Sequence, residues 1–390
     1  METIVKFIII KENLIFILKI MSCVTEKNFI DKKNDHCIFF RVYEKKLIVV
    51  SINEFLEVIY IYPIKEFCEN GFFSVSLKKI INIIKVIPNN SYIEFIKNNE
   101  ELLININYLK FRICLSSENF FYNFTINNDF SFYISSLQLQ TIYKKVFFSV
   151  AENDVRTYLN GILFDLQENL LYVVSSDGHR LSMYKLNFLN NNLFFKQIII
   201  SGKSFQNIVN IFQKSENIKV VVYDNYIKFM TENIIVKTNL LVGKYPEYLN
   251  LLNNLNGNFL ICNKQELLDI FLRVSVLDKK IDCIIKMILI NDNLFLSTYN
   301  NIKEYVEDKT KIVYYDGKDI TLAFNAKYII DILNVINFEF VLMIISDSKS
   351  AVIVESFDCN IEDIKFLKNF QINNLRKRND SIYILMPIRL

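Results

Sequence analysis

The chain has 390 residues, 52% hydrophobic and 22% charged, with a formal net charge of +3. That length exceeds the reach of one hydrophobic core and points to two or three domains, and that composition excludes an intrinsically disordered chain. A charge so close to zero does not mark a nucleic-acid binder, although a locally basic face is compatible with it. Seven cysteines at positions 23, 37, 68, 114, 262, 283 and 359 form no CxxC pair, so neither a disulfide framework nor a zinc site is signalled, and a reducing cytosol fits best. Few glycines and much Ile, Asn and Lys read as the codon bias of an AT-rich genome.

From the N-terminus, IVKFIIIKENLIFILKI is interrupted by Lys6, Lys11, Glu12 and Lys19, too often for a bilayer span or a signal peptide. It reads as a strand followed by an amphipathic helix. Helical apolar spacing starts at Lys11 (KENLIFILKIMSCV) and returns at Ser135 (SSLQLQTIYKKVFFSVA) and at Asn263 (NKQELLDIFLRVSVLDK). Each is followed by a second helical segment: LKKIINIIKVIP from Leu77, GKSFQNIVNIFQKS from Gly202 and NAKYIIDILNVIN from Asn325. Strand-like alternation fills the space between the two helices and again follows the second. The starts lie roughly 125 residues apart, the size of a small domain. The pattern predicts an α+β fold of three repeated domains, 1–129, 130–257 and 258–390, each with two helices covering one face of its strands.

The stretch SSDGHRLSMY, Ser175 to Tyr184, gathers a hydroxyl pair, a carboxylate, an imidazole and a guanidinium, and His179 is one of two histidines, the other being His36. Asp177-Gly178 between apolar flanks predicts a two-residue hairpin turn, with His179 and Arg180 at the start of the outgoing strand. A hydrolytic triad must converge from separate segments, and a catalytic metal wants about three ligands, so neither is expected here. IIISGKS before Phe205 imitates a P-loop, but position 197 is Gln where a glycine is required. Gly202 and Ser204 are expected to open a helix, with Lys203 exposed in its first turn. No catalytic residue, metal or cofactor is expected. Lysines recur along the polar sides of the helices: Lys11, Lys19, Lys78, Lys79, Lys85, Lys144, Lys145, Lys203 and Lys214. Singly they read as solvated faces. Turned the same way, they would form a basic surface matched to phosphate rather than to bases.

The segment FFSVAENDVRTYLNGILFDLQENLLYVVSSDGHRLSMYKL, Phe147 to Leu186, resembles the middle domain of the bacterial DNA polymerase III beta subunit, the sliding-clamp family. LLVGKYPEYLNLL around Pro246, FNAKYIIDILNVI from Phe324 and YILMPIRL from Tyr383 are similar to that family too, while residues 1–130 match loosely. The resemblance implies a DNA clamp fold with three repeated domains per chain and two chains joined head to tail in a ring. In it the helices line a central channel around duplex DNA, and the ring tethers the replicative polymerase in the cytoplasm without making or breaking a bond.

The resemblance further implies a partner-peptide cleft. Leu159, Ser176, Gly178, His179, Arg180, Leu181, Pro246 and Leu251 form one side, and Tyr328, Ile384, Met386, Pro387, Ile388, Arg389 and Leu390 the other. His179 and Arg180 would be wall and rim, receiving polar parts of the peptide. Sequence-independent DNA contacts fall on Asn153, Arg156, Tyr158 and Lys203, with Lys78, Lys79, Lys144 and Lys145 beside them. The dimer contact pairs Phe111 and Ile113 with Val276 and Leu277. Implied partners are double-stranded DNA, a second copy of the chain, the DNA polymerase III alpha subunit, the clamp loader and other proteins with a clamp-binding motif, and no membrane. Asn250, Lys349, Ala351 and Thr157 depart from the family pattern, and no glycine-rich loop is visible between Cys23 and Ile30 around Lys27. A polar and basic insertion, roughly Phe357 to Asp380, is expected as a long surface loop. The alternative reading is a module of the same fold that binds partners without encircling DNA.

Overall fold

In the computed structural model the described residues are 5–25, 36–66, 68–116, 130–167, 169–187, 195–215, 217–253, 257–277, 283–290, 292–299, 304–359 and 379–389. Among them the chain runs three times through one order: a strand, a helix, a group of strands, a second helix, three strands. The first pass is β1 (Val5–Ile10), α1 (Lys11–Met21), β2 (Cys37–Tyr43), β3 (Lys46–Ile52), β4 (Leu56–Pro63), β5 (Gly71–Ser76), α2 (Leu77–Val86), β6 (Tyr92–Asn98), β7 (Glu101–Ile106) and β8 (Leu109–Cys114). The second is β9 (Ser131–Ile134), α3 (Ser136–Val146), β10 (Gly161–Gln167), β11 (Leu170–Ser176), β12 (Arg180–Asn187), β13 (Phe195–Ser201), α4 (Gly202–Ile211), β14 (Ile218–Val222), β15 (Tyr226–Met230) and β16 (Ile234–Asn239), followed by an extra short helix, α5 (Tyr248–Asn253). The third is β17 (Asn258–Asn263), α6 (Lys264–Val274), β18 (Ile284–Ile290), β19 (Asn293–Tyr299), β20 (Tyr305–Lys311), β21 (Tyr314–Tyr315), β22 (Ile320–Asn325), α7 (Ala326–Val335), β23 (Phe340–Ile345), β24 (Val352–Phe357) and β25 (Ser381–Leu385).

The helices start where the sequence supplies a cap. Ser135 and Gln138 form a reciprocal capping box at α3: the Ser135 hydroxyl accepts from the Gln138 N–H at 3.2 Å, and Gln138 Oε1 accepts from the Ser135 N–H at 2.9 Å. Asn263 caps α6 by accepting from the N–H groups of Gln265 and Glu266, Asn325 caps α7 through Lys327, and Ser76 caps α2 through Lys79. The two helices of each pass are also clipped together by the backbone. The N–H of the first residue of the first helix donates to a carbonyl just beyond the second helix: Lys11 to Ser91 O, Ser136 to Ser215 O and Lys264 to Glu339 O, at 3.0, 3.0 and 2.8 Å.

In the first and third passes a lysine reinforces that clip. Lys11 Nζ donates to Ile87 O at the end of α2 and to Asn89 Oδ1, and Lys264 Nζ donates to Ile336 O at the end of α7. Free carbonyls at a helix C-terminus attract a cation, which is why these ammonium groups turn inward. Lys11 is therefore buried and belongs to no exposed basic side of α1, contrary to the expectation from spacing.

The chain forms two compact units, Met1–Gln140 with Lys203–Leu240, and Thr141–Gly202 with Leu241–Leu390. The first unit contains a four-stranded sheet in the order β1-β6-β7-β8 and an eight-stranded sheet in the order β5-β2-β3-β4-β16-β15-β14-β9. In the latter, β4 pairs antiparallel with β16, placing Ile59 opposite Ile235 and Glu57 opposite Lys237, whose ammonium lies 3.2 Å from the carboxylate. The second unit contains a nine-stranded sheet, β13-β10-β11-β12-β25-β24-β23-β17-β21, and a four-stranded sheet, β20-β19-β18-β22. One core of this unit joins Leu267, Ile270, Phe271 and Val274 of α6 and Ile329, Ile332 and Leu333 of α7 to inward residues of both sheets.

Several hairpins turn without glycine. Tyr43 pairs with Lys46, so Glu44 and Lys45 alone form the turn, both with positive φ (47° and 57°). Asn99 and Asn107 take left-handed backbone in the turns after β6 and β7, as do Asn90, Asn153 and Asp292 elsewhere. Short amide and carboxylate side chains tolerate this region better than other non-glycine residues.

Replacing Phe271, fully buried in the core between α6 and α7, by Ala is expected to cost about 3–5 kcal/mol, read as a lowered urea midpoint at unchanged slope.

Candidate functional site

Side chains of a strand alternate between the two faces of its sheet. On the nine-stranded sheet, one face meets the helices. The other brings together Leu163 of β10, Val174 of β11, Leu181 and Met183 of β12, Ile199 of β13 and Ile384 of β25, all buried. Leu159, Ala151, Tyr245 and Tyr248 close over them, with Tyr158 half-buried alongside. The sheet is continuous here because β12 pairs with β25: Arg180 lies opposite Leu385, Leu181 opposite Ile384 and Met183 opposite Ile382. Beyond β25, the Met386 N–H donates to His179 O at 2.9 Å and the Ile388 N–H to Ala323 O at 2.8 Å. Gly178–Leu181 and Met386–Arg389 are thus neighbours, roughly 200 residues apart in sequence.

An apolar floor results, edged by side chains that stand in solvent. Met386 is 47% exposed, Pro246 and Leu251 are exposed, and Pro387 and Ile388 are partly covered. The apolar groups open to solvent are those of this edge, since the residues beneath are covered by the chain itself.

The DGHR turn is longer than its sequence suggests. Ser176 pairs with Leu181, so four residues separate the paired positions, and only Gly178 has positive φ (90°). The two-residue hairpin expected from Asp177-Gly178 does not form, because Asp177 organises the loop with its side chain. Its Oδ1 accepts from the N–H groups of His179 and Arg180 at 2.9 and 3.0 Å, while the Ser176 hydroxyl accepts from the Gly178 N–H and donates to Arg180 O. A Cβ at Gly178 would sit 2.9 Å from Arg156 Nη2. His179 carries an exposed side chain on this turn.

Arg180 is 7% exposed and its guanidinium is engaged inside the chain. Nε donates to Asp177 Oδ2 at 2.9 Å, Nη1 to Asp331 Oδ2 of α7 at 2.8 Å, and Nη2 to Phe148 O. It also stacks over the Tyr328 ring, 4.3 Å from the centroid, with Phe148 at 5.4 Å. Arg180 is accordingly an internal brace between the turn and α7 rather than the accessible rim donor expected above.

The basic residues separate into two groups. Lys78 and Lys79 at the start of α2, Lys144 in the last turn of α3 and Lys203 at the start of α4 are exposed. Lys145 is not. It is buried, bonded to Asp380 at 2.8 Å and Ser381 at 2.7 Å, with its ammonium 4.6 Å from the Tyr184 ring, and this pairing removes it from any DNA-facing set. Arg156 is exposed but forked onto Asp154 at 3.0 and 2.9 Å, and that pair holds the Asp154 carboxyl well below its usual range, at about 2. Asn153 is exposed and Tyr158 packs edge-on to Tyr245. Phe111 and Ile113 lie half-buried on the edge strand β8, and Val276 is 61% exposed in the turn after α6. The Leu277 side chain, Leu390, Lys27 and most of the 357–380 insertion fall outside the described residues.

Sequence reading did not single out the floor residues Leu163, Val174, Met183 and Ile199, nor Ala151, Asp165, Tyr245 and Tyr248. Asp165 was detectable as a lone carboxylate inside the apolar strand GILFDL, where burial demands partners.

Among the described residues no helix is long and apolar enough to cross a membrane. The chain is similar in structure to the DNA polymerase III subunit beta from Pseudomonas aeruginosa, with a TM-score of 0.87 over 99% of this chain and 100% of that one at 24% identity. That likeness, with the threefold recurrence of element order, defines the fold as a DNA clamp fold. A sliding clamp from the same organism, bound to griselimycin, is 25% identical with a TM-score of 0.85, covering 99% and 100% of the two chains. Residues 133–247 match the family of the DNA polymerase III beta subunit, central domain, and residues 251–366 the corresponding C-terminal domain. The beta sliding clamp of Buchnera aphidicola is 30% identical over 74% of this chain and 78% of its own length. The chain belongs to the bacterial DNA polymerase III beta subunit family, and it is a non-catalytic DNA sliding clamp.

Replacing Arg180 by Met would leave Asp177 and Asp331 without their cation. A cost of about 3 kcal/mol is expected, at the low end for broken buried pairs because Asp331 keeps some contact with water. Adding Asp331→Leu should recover part of the lost melting temperature.

Proposed function

We propose that two copies of this chain join head to tail into a ring around duplex DNA, in the cytoplasm, and that the cleft captures peptide segments of the replicative polymerase, the clamp loader and other partners. What carries this reading is the β12–β25 pairing, which sets Leu181 and Ile384 side by side on an apolar floor next to the Met386–Arg389 segment. A short peptide with a Gln and bulky apolar side chains suits that floor: the aliphatic groups take its anchors, and the carbonyls and exposed His179 take its polar parts. Three domains, 1–129, 130–257 and 258–390, are supported by the threefold recurrence of element order and of the helix clip.

DNA contact falls to Lys78, Lys79, Lys144, Lys203, Arg156, Asn153 and Tyr158. Contacts of exposed cations with phosphate are exchangeable from one phosphate to the next, so retention on DNA comes from ring closure rather than from affinity. The dimer contact is formed by Phe111 and Ile113 of one copy with Val276 and Leu277 of the other, and an edge strand such as β8 suits pairing with another chain.

Once loaded, the protein is expected to stay on circular DNA and run off linear ends. Equal retention on both would favour a module that does not encircle DNA. Replacing Val276 and Leu277 by Ala is expected to cost on the order of 2 kcal/mol or more and to give monomers in a molar-mass measurement at sub-micromolar concentration. Deleting Met386 to Leu390 should abolish binding of a Gln- and Leu/Phe-containing polymerase peptide with the dimer intact, and unchanged affinity would refute the cleft.

A further inference from the structure

We infer that Asp165 is a positioning residue for the cleft: its carboxylate fixes Tyr248, and through Tyr248 the short helix α5 that carries Leu251. The inference rests on the peptide-binding reading above. Asp165 follows Leu163 by two residues on β10, so the two share the face that forms the cleft floor. It is 3% exposed, and a carboxylate so enclosed must have its lone pairs satisfied. Three donors converge on Oδ2: the Tyr248 hydroxyl at 2.7 Å, Gln167 Nε2 at 2.8 Å and Gln197 Nε2 at 3.2 Å.

Tyr248 is the first residue of α5 and is 2% exposed, whereas Leu249, Asn250 and Leu251 after it are exposed. A six-residue helix is too short to hold its own place. What ties this wall to the sheet is the pair of buried rings, Tyr245 and Tyr248, in the cluster beneath the cleft. Ring burial sets how deep the segment sits but is indifferent to direction, while a hydrogen bond to a fixed carboxylate also sets orientation. Burial raises the pKa of the Tyr248 hydroxyl, and the adjacent carboxylate raises it further, so the group stays protonated and remains a donor. Leu251, three residues and nearly one helical turn further on, is thereby presented to the cleft at one angle.

The test measures the affinity and dissociation rate of a fluorescein-labelled peptide bearing a Gln and Leu/Phe anchors, for the full-length dimer and for Tyr248→Phe, Asp165→Leu, Asp165→Asn and the Tyr248→Phe/Asp165→Leu double variant. Tyr248→Phe and Asp165→Leu are each expected to weaken binding about tenfold through faster dissociation. The double variant should bind no worse than Asp165→Leu alone, because both changes remove one interaction. Asp165→Asn keeps an acceptor oxygen and should rescue affinity to within about threefold of the unaltered chain. Wild-type affinity in either Tyr248→Phe or Asp165→Leu, losses that multiply in the double variant, or an Asn variant as weak as the Leu variant would each overturn the inference. An unaltered chain that binds no peptide would overturn the cleft itself. If that chain binds peptide, loses it on removal of Met386 to Leu390 and is indifferent to Tyr248→Phe, only the role of Asp165 falls.

Discussion

The pairing of β12 with β25 is the constraint from which the rest of the second unit follows. Five consecutive residue pairs, Arg180 with Leu385 through Tyr184 with Ser381, satisfy the backbone groups that each strand would otherwise leave open. They also merge strands of the second and third passes into one nine-stranded sheet, so that one face can carry an apolar floor drawn from both. Without this ladder Ile384 would have no reason to adjoin Leu181, and the chain beyond it would not be led past the DGHR turn. Arg180 strengthens the same junction from the side, tying the turn to α7 through Asp177 and Asp331. In the first unit, β4 and β16 use the same backbone solution, supplemented by the Glu57–Lys237 pair.

Charge in this chain is sorted by what lies within reach of each long side chain. Lys11 and Lys264 reach carbonyls at the ends of α2 and α7, Lys145 reaches Asp380 and Ser381, and all three serve the fold. Lys78, Lys79 and Lys144 stand in solvent. A near-neutral total therefore conceals a division between cations that brace helices and cations available to a polyanion.

The helices were legible because periodicity and cap chemistry agree locally: Ser135 with Gln138, Asn263 before α6 and Asn325 before α7 each announce a start within four residues. The threefold order was legible for the same reason. What could not be read were interactions closing over long separations. Nothing near Arg180 in sequence announces Asp331, nothing near Lys145 announces Asp380, and Asp165 finds Tyr248 only once the sheet exists. The meeting of the DGHR turn with the terminal segment followed from resemblance to a family, not from any pattern in the residues. The turn itself misled: Asp-Gly is the usual signature of a two-residue hairpin, yet Asp177 prefers to cap two amides and lengthen the loop.

The left-handed turns carry an implication of a different kind. Where other proteins place glycine, this chain bends through Glu44-Lys45, Asn99 and Asn107, and it contains only seven glycines in all. Asparagine or aspartate holds five of the seven positive-φ positions outside glycine among the described residues. The backbone accommodates the exchange, since an amide side chain lowers the strain of a positive φ that a branched one would not. A trace whose turns are built this way still overlays the Pseudomonas aeruginosa structure with a TM-score of 0.87 at 24% identity, so hairpins without glycine are compatible with that path. Hairpin geometry and glycine content are therefore separable in this fold: the path of the strands is set by their ladders, and the residue at the bend needs only to tolerate a positive φ.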